Sequence, residues 1–259
     1  MEINTLYNEN CLDTMQRMPD NFIDLTVTSP PYDKLGDYKG FKFPFKHIAR
    51  HLYRVTKFGG VVVWVVGDAT VNGSETGTSF TQALFFKECG FRLHDTMIYR
   101  KENYAPQNHN RYEQAFEYMF ILSKGRPNVF NPKKVPCKEA GKSKNWSRKG
   151  SNTKEGVFRR RDELITTNEF KSAENIFTYA CGNSSTGHPA PFPEGLVKDQ
   201  ILSWSNEGGL IYDAFAGSAT TLKMAHLLKR NWIGSEISKE YCDLSEKRLA
   251  PYLQQMQLL

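Results

Sequence analysis

The stretch that decides the fold is Gly209-Leu210-Ile211-Tyr212-Asp213, a short apolar strand that opens into Ala214-Phe215-Ala216-Gly217-Ser218-Ala219-Thr220-Thr221. Beyond it the pattern predicts a helix over 222–228, a strand over 231–236 and a helix over 241–253. Strand, glycine-containing turn, helix and second strand make one βαβα unit. This unit predicts an α/β fold on a parallel sheet.

The turn and the end of the second strand have the features of a nucleoside site. Gly217 lets the backbone approach a ligand closely, and Glu236 can accept both hydroxyl protons of a ribose. Residues 215–220 contain one glycine and not the three of a dinucleotide fingerprint. The turn therefore favours an uncharged-tail nucleoside such as S-adenosylmethionine over a pyrophosphate. A purely structural glycine at a strand–helix turn is the alternative reading.

The rest of the chain repeats the alternation of strands and helices. Apolar and β-branched runs predict further strands over 3–7, 25–28, 61–66, 91–100 and 117–123. Helical spacing predicts further helices over 11–18, 45–55, 80–89 and 196–203. Residues 57–60, which contain two glycines, are read as the stop after the helix over 45–55. The alternation predicts a doubly wound, mostly parallel sheet with helices on both faces.

A second informative stretch is Asp24-Leu25-Thr26-Val27-Thr28-Ser29-Pro30-Pro31-Tyr32, a short buried strand that ends on two prolines. The prolines fix two φ angles and remove two amide donors, so backbone carbonyls are left as acceptors. Ser29 adds a hydroxyl, and Tyr32 a flat face. Residues 29–32, the proline shelf, would suit a ring with an exocyclic amine. A plain Pro-Pro turn is the alternative, and the loop over 33–44 could cover the shelf.

The positive charge is concentrated in one segment. Residues 133–161 contain eleven Lys or Arg residues against two acids, a local charge of +9 in a chain whose net charge is +6. Aromatic side chains are interspersed over 130–179. A basic insert with aromatics in a folded chain points to an anionic polymer, with steeply salt-dependent binding. A solvated face or tail is the alternative.

The composition of the chain excludes several classes of protein. With 259 residues, 39% of them hydrophobic, the chain is long enough for one buried core, and no apolar run reaches the length of a membrane span. The first residues lack a secretory signal, so we expect a cytoplasmic protein without a membrane partner. Five scattered cysteines without a CxxC pair predict neither a disulfide framework nor a metal site.

Together, Thr28-Ser29-Pro30-Pro31-Tyr32 and the segment over 213–221 resemble the DNA amino-methyltransferases, which methylate cytosine N4 or adenine N6 with S-adenosylmethionine. The order of catalytic motif, target-recognition insert and cofactor motif is similar to their beta class. The resemblance covers nearly the whole chain. It implies a Rossmann-like methyltransferase fold with a catalytic half over 1–129, a basic target-recognition insert over 130–179 and a cofactor-binding half over 180–259.

The resemblance also assigns site residues. Those implied to hold a flipped base are Ser29, Pro30, Pro31 and Tyr32. Those implied to bind the cofactor are Asn10, His188, Phe192, Asp213, Phe215, Gly217, Ser218, Thr220 and Glu236. The basic residues expected to contact DNA are Lys133, Lys134, Lys142, Lys144, Arg148, Lys149, Arg159, Arg160 and Arg161.

Two positions depart from the family pattern. Ala219 stands where the family usually has a second glycine, and a positive φ there would cost on the order of 1 kcal/mol and reduce cofactor affinity. Asn10 stands where the family often has an aspartate that receives the adenine amine of the cofactor. Its amide oxygen can still accept, but it is neutral.

The implied reaction is a direct transfer to an exocyclic nitrogen of a base flipped out of double-stranded DNA. In the family, serine at the position of Ser29 accompanies cytosine N4 methylation, and aspartate or asparagine accompanies adenine N6 methylation. Cytosine is therefore the first choice and adenine the alternative. A DNA-binding relative that has lost turnover is a second alternative, whereas the missing fingerprint disfavours a nicotinamide-dependent oxidoreductase. Relatives are often dimers, which by analogy makes a homodimer an expectation.

Overall fold

The computed structural model describes residues 1–31, 43–104, 106, 110–148, 161–181 and 191–255. The chain forms two compact units, one of residues Met1–Asn131 with Asn175–Leu259 and one of Pro132–Glu174. Within the described ranges, every helix is too short or too polar to cross a lipid bilayer.

The first unit holds the helices and the main sheet. Its helices are α1 (Cys11–Arg17), α2 (Phe45–Val55), α3 (Thr78–Glu88), α4 (Glu194–Trp204), α5 (Thr220–Leu227) and α6 (Lys239–Gln255). Its main-sheet strands are β1 (Thr5–Tyr7), β2 (Ile23–Thr28), β3 (Thr56–Val66), β6 (Arg92–Lys101), β7 (Phe116–Ser123), β12 (Ile176–Tyr179), β13 (Leu210–Asp213) and β14 (Asn231–Ser235). A small hairpin is formed by β4 (Thr70–Val71) and β5 (Ser74–Glu75).

The second unit contains two antiparallel strand pairs. One joins β8 (Lys134–Pro136) to β11 (Phe170–Ser172). The other joins β9 (Ser143–Arg148) to β10 (Arg161–Thr166).

The eight-stranded sheet has the order β1-β14-β13-β2-β3-β7-β6-β12. All neighbours are parallel except β7, which runs antiparallel to both β3 and β6. One face packs on α1, α2 and α3 through residues such as Met15, Leu52 and Phe86, and the other on α4, α5 and α6 through Ile201, Leu222 and others. The predicted doubly wound, mostly parallel α/β fold is confirmed.

The start of β3 and the strand β12 differ most from the sequence predictions. Helix α2 ends at Val55, before residues 57–60 as predicted, but the strand predicted over 61–66 begins earlier, because residues 57–60 are part of β3, which starts at Thr56 opposite Ile23 before a register shift. Gly59 adopts a φ of +81° there, and its N–H donates to the Lys124 carbonyl at 2.6 Å. The four residues of β12, which lie within the segment over 130–179, pair with β6 in the main sheet.

The strand order switches between the parallel neighbours β2 and β13, because β2 continues to β3 on one side and β13 to β14 on the other. In open α/β sheets, ligands bind beyond the carboxyl ends of the strands at such a switch point. Thr28 and Asp213 end the two strands, so the topology brings the proline shelf and the glycine turn to the same edge.

The opposite ends of these strands are tied together by Asp24. Its carboxylate lies 2.7 Å from Lys57 Nζ and accepts the Leu210 N–H at 2.9 Å, which links β2 to β3 and β13.

Asp24→Ala is expected to lower the free energy of unfolding by about 1–3 kcal/mol, because the N–H of the buried Leu210 loses its acceptor. Asp24→Asn keeps an acceptor and loses only a half-exposed ion pair, about 0–1 kcal/mol. Urea unfolding tests this, and equal losses in both variants would contradict it.

Candidate active site

The proline shelf follows directly on β2. Thr28 is fully buried, Ser29 is half-buried, Pro30 is buried and Pro31 is half-buried. The strand stops here because neither proline carries an N–H to continue its hydrogen bonding. Tyr32 and the predicted loop up to residue 42 lie outside the described residues.

A short hydrogen bond joins the shelf strand to the glycine turn. The Thr28 hydroxyl donates to Asp213 Oδ1 at 2.6 Å, and the same oxygen accepts the Phe215 N–H at 3.1 Å. Asp213 is buried, and this burial raises the pKa of its carboxyl, against the lowering effect of the hydrogen bonds from Thr28 and Thr221. A buried hydrogen bond therefore joins the residue directly before the shelf to the residue directly before the turn.

The turn over 214–219 takes a strained course. Gly217 has a φ of +51°, and Ala219 has a φ of +58° with its side chain fully buried. A non-glycine residue in this left-handed region costs about 1–2 kcal/mol. The condition stated for Ala219, a positive φ, is therefore met in the fold.

Glu236 follows β14 and faces the turn. Its carboxylate accepts the Gly217 N–H at 2.9 Å and the Ser238 N–H at 2.8 Å. Burial raises the pKa of this carboxyl, even though the two backbone bonds act to lower it. An ionised carboxylate offers about four lone-pair sites, so two stay available for ligand hydroxyls.

Helix α6 supports the turn from behind. The Ser245 hydroxyl donates to the Gly217 carbonyl at 2.7 Å. Arg248 Nη1 donates to the Ser218 carbonyl at 2.7 Å, to Ser218 Oγ at 3.1 Å and to Thr220 Oγ1 at 3.0 Å. The side chains of Ser218 and Thr220, implied to bind the cofactor, thus contact a residue of the protein itself.

The other implied cofactor residues have varied surroundings. Asn10 caps α1, because its Oδ1 accepts the Leu12 N–H at 2.9 Å. The Phe215 ring lies 6.2 Å from Trp64, which pairs with Thr28 in the sheet register. Phe192 is half-buried against the core of α4, α5 and α6. His188 lies outside the described residues.

Sequence reasoning missed Thr28 and Ser245 as supports of the site. Thr28 is the last residue of β2 and meets a partner 185 positions away. Ser245 lies one helical turn before Arg248 on α6, and this i, i+3 spacing of polar residues on one helix face was the available signal.

The expected DNA-contacting residues belong to the second unit. Lys133, Lys134 and Lys142 are exposed, and Lys142 Nζ lies 3.1 Å from Glu139 Oε1. Arg148 and Arg161 pair across β9 and β10, which also contain Lys144. Lys149, Arg159 and Arg160 lie outside the described residues.

The chain is similar to known proteins over most of its length. A family model described as DNA methylase matches residues 23–247. The orphan methyltransferase M.BamHII of Bacillus amyloliquefaciens is 49% identical over an alignment of 252 residues, and the match covers 92% of each chain. The type II methyltransferase M.BglII of Bacillus subtilis is 26% identical and covers 96% of this chain and 69% of its own length.

Solved structures share the architecture. TTHA0409 from Thermus thermophilus, described as a DNA modification methylase and also solved with S-adenosyl-L-methionine, matches at 25% identity, a TM-score of 0.64 and coverage of 95% and 94%. The cytosine-N4-specific PvuII DNA methyltransferase matches at 20% identity and a TM-score of 0.69, with coverage of 94% of this chain and 85% of that one. At that identity the second match speaks for the fold alone.

Proposed function

The chain belongs to the DNA methylase family, in its beta class of amino-methyltransferases, and we propose that it methylates the exocyclic N4 of a cytosine flipped out of duplex DNA. The observation that carries this proposal is the 2.6 Å hydrogen bond between Thr28 and Asp213. It fixes the end of the shelf strand to the start of the cofactor turn, which is the adjacency that a direct transfer between two ligands requires.

Glu236 and the turn that it faces suit S-adenosylmethionine. The buried Glu236 keeps acceptor capacity for ribose hydroxyls, and its two backbone bonds fix its orientation. When bound, this cofactor would supply the methyl group of its sulfonium and leave as a neutral thioether, and the methylated nitrogen would release one proton to solvent.

The shelf orients and stabilises the target amine. The Ser29 hydroxyl and the Pro30 carbonyl accept its two protons and so aim the nitrogen lone pair at the methyl group. As positive charge develops on the nitrogen, both acceptors bind more strongly, and this difference lowers the barrier. Tyr32 stacks on the flipped ring and offsets part of the few kcal/mol that unstacking costs.

Ser29 supports the choice of cytosine, because serine at this position accompanies N4 methylation in the resemblance described above. Both amines present similar donors, so adenine N6 is the alternative substrate. The test is to incubate the protein with labelled S-adenosylmethionine and a random-sequence duplex library, digest to nucleosides and identify the product. N4-methylcytosine is expected. If N6-methyladenine were the sole labelled base, adenine and not cytosine would be the substrate. The absence of any labelled base would exclude both reactions.

The positive φ of Ala219 gives a specific reason to consider a second function, a DNA-binding relative with impaired turnover. Cofactor binding without methyl transfer would support it. Ala219→Gly distinguishes the two, since relief of the strained turn should restore turnover only if strain had suppressed it.

The second unit is proposed to bind the DNA backbone. The double variant Lys133→Ala, Lys134→Ala is expected to flatten the plot of log affinity against log salt by about 0.9 for each phosphate that the variant no longer neutralises. Exposed lysines of the first unit, Lys87 and Lys198, provide the matched control double variant. Fluorescence anisotropy with duplex DNA across a salt series measures both slopes. An equal change in the two variants would point to net charge as the cause.

That the protein forms a homodimer stays a prediction, which sedimentation of the purified protein would check.

A further inference from the structure

Helix α4 begins with a carboxylate that joins three helices. Glu194 Oε1 accepts a hydrogen bond from Lys223 of α5 at 2.7 Å and from Arg248 of α6 at 2.7 Å. Burial acts to raise the pKa of Glu194, but its bonds to the two cations outweigh burial and the pKa is lowered. Glu194 is therefore held as an anion between them.

The same arginine reaches the cofactor turn with its other terminal nitrogen. Nη2 binds Glu194, while Nη1 binds the carbonyl and hydroxyl of Ser218 and the hydroxyl of Thr220. Only 17% of the Arg248 side chain is exposed. A planar guanidinium can present two edges in fixed directions, which a single ammonium group cannot do.

The turn needs this support because of its backbone. Ser218 lies between Gly217 and Ala219, both with positive φ, and the N–H of Gly217 donates to Glu236. If Ser218 moved, Gly217 would move with it, and the Glu236 carboxylate would lose one of the two backbone donors that orient it. Arg248 thus acts on Glu236 through two residues of the turn.

We propose that Arg248, oriented by Glu194, is a positioning residue that presets the turn over 214–219 for cofactor binding. The inference rests on the proposed function, because it takes the turn as the cofactor site. The Lys223 ammonium group bonds to the same carboxylate, whereas the turn receives a bond from the Lys223 backbone N–H, which donates to the Ala219 carbonyl at 3.0 Å and does not depend on the side chain. The Lys223 side chain should therefore contribute to stability and not to affinity.

The experiment measures cofactor affinity without DNA by isothermal titration calorimetry with S-adenosylmethionine. Arg248→Lys keeps a cation near Glu194 but cannot hold both partners, and is expected to weaken binding about tenfold or more. Lys223→Met, the matched control, should stay within about threefold of the unmodified protein. Urea midpoints of both variants reveal how much each loses in stability alone.

A second variant guards against misfolding of Arg248→Lys. Thr220→Val removes one acceptor of Arg248 at the first residue of α5, directly after the turn, and leaves the arginine and Glu194 in place, with an expected loss of affinity of about two- to fivefold. The inference is overturned if Thr220→Val and a folded Arg248→Lys bind like the unmodified protein, or if Lys223→Met weakens binding as much as Arg248→Lys. If the unmodified protein fails to bind the cofactor, the proposed function falls and this inference with it. If it binds but methylates no DNA, only the proposed function falls.

Discussion

Glu236→Gln is expected to weaken binding of S-adenosylmethionine by about 10- to 100-fold. The amide keeps one oxygen, but hydrogen bonds to a charged acceptor contribute about 1.5–3 kcal/mol against about 1 kcal/mol for a neutral one. Two ribose hydroxyls would each lose part of that difference. The glutamine retains the shape of the side chain, but its NH2 group must face one of the two backbone donors, the N–H of Gly217 or of Ser238. A loss of about 1–3 kcal/mol in the free energy of unfolding is therefore expected as well, and the dissociation constant is measured on the folded variant.

The pH dependence of binding gives an independent check of the same residue. Burial raises the pKa of Glu236 above 4.5. The ribose hydroxyls need the ionised form, so affinity should be complete above the raised pKa and fall as pH falls through it. The ligand-free protein should respond in the opposite direction. Its folded state binds the Glu236 proton more tightly than the unfolded chain does. Protonation of this group therefore increases the free energy of unfolding as pH falls from the raised pKa toward 4.5.

Calorimetric titrations at several pH values separate the outcomes. The unmodified protein should show a falling affinity toward acid pH, and Glu236→Gln a shallower profile that starts from a lower affinity. Asp213, whose pKa burial also raises, accounts for a residual slope in the variant. Identical profiles in the two proteins would mean that Glu236 does not receive the ribose.

Much of the fold could be predicted because its elements have uninterrupted patterns. The helix over 45–55 was predicted with the bounds that α2 has, since its apolar residues recur at helical spacing and face one core. The start of β3 could not be predicted, because Thr56 joins the sheet only through a pairing with Ile23 across a register shift. Strand β12 was missed for a similar reason, since an edge strand of four residues depends on its neighbour β6.

In the candidate site, too, some residues could be predicted from the sequence and others could not. Asp213 and Glu236 could be singled out because each lies where a predicted strand ends, and strand ends of a parallel sheet share one edge. Their partners could not be read from the pattern. The bond between Thr28 and Asp213 spans 185 positions, and that between Arg248 and Ser218 spans 30. Such contacts depend on how helices and strands pack, which spacing along the chain does not specify.

Ser29→Ala is expected to lower kcat by about 100-fold while cofactor affinity stays within about threefold. The variant removes one of the two acceptors of the target amine, and loss of one group that stabilises developing charge typically costs about 10²–10³ in kcat.

Tyr32→Ala should lower kcat/KM for DNA by about 10- to 100-fold, because one stacking partner of the base contributes about 1–3 kcal/mol. Single-turnover rates and calorimetry with S-adenosylmethionine measure both effects.

Thr28→Val, one residue before the shelf, is the matched control with the opposite expectation. Valine preserves the shape of the buried side chain but removes the hydroxyl that donates to Asp213 Oδ1 at 2.6 Å. The carboxylate then keeps the Phe215 N–H, loses a bond that lowers its pKa, and orients the turn less firmly. We therefore expect cofactor affinity to fall about tenfold, as for one lost hydrogen bond to a charged group, while the rate with saturating cofactor is largely retained. Opposite responses at two adjacent residues would locate the division between base site and cofactor site at the end of β2. Loss of cofactor binding in both Ser29→Ala and Tyr32→Ala would instead mean that the shelf does not hold the base.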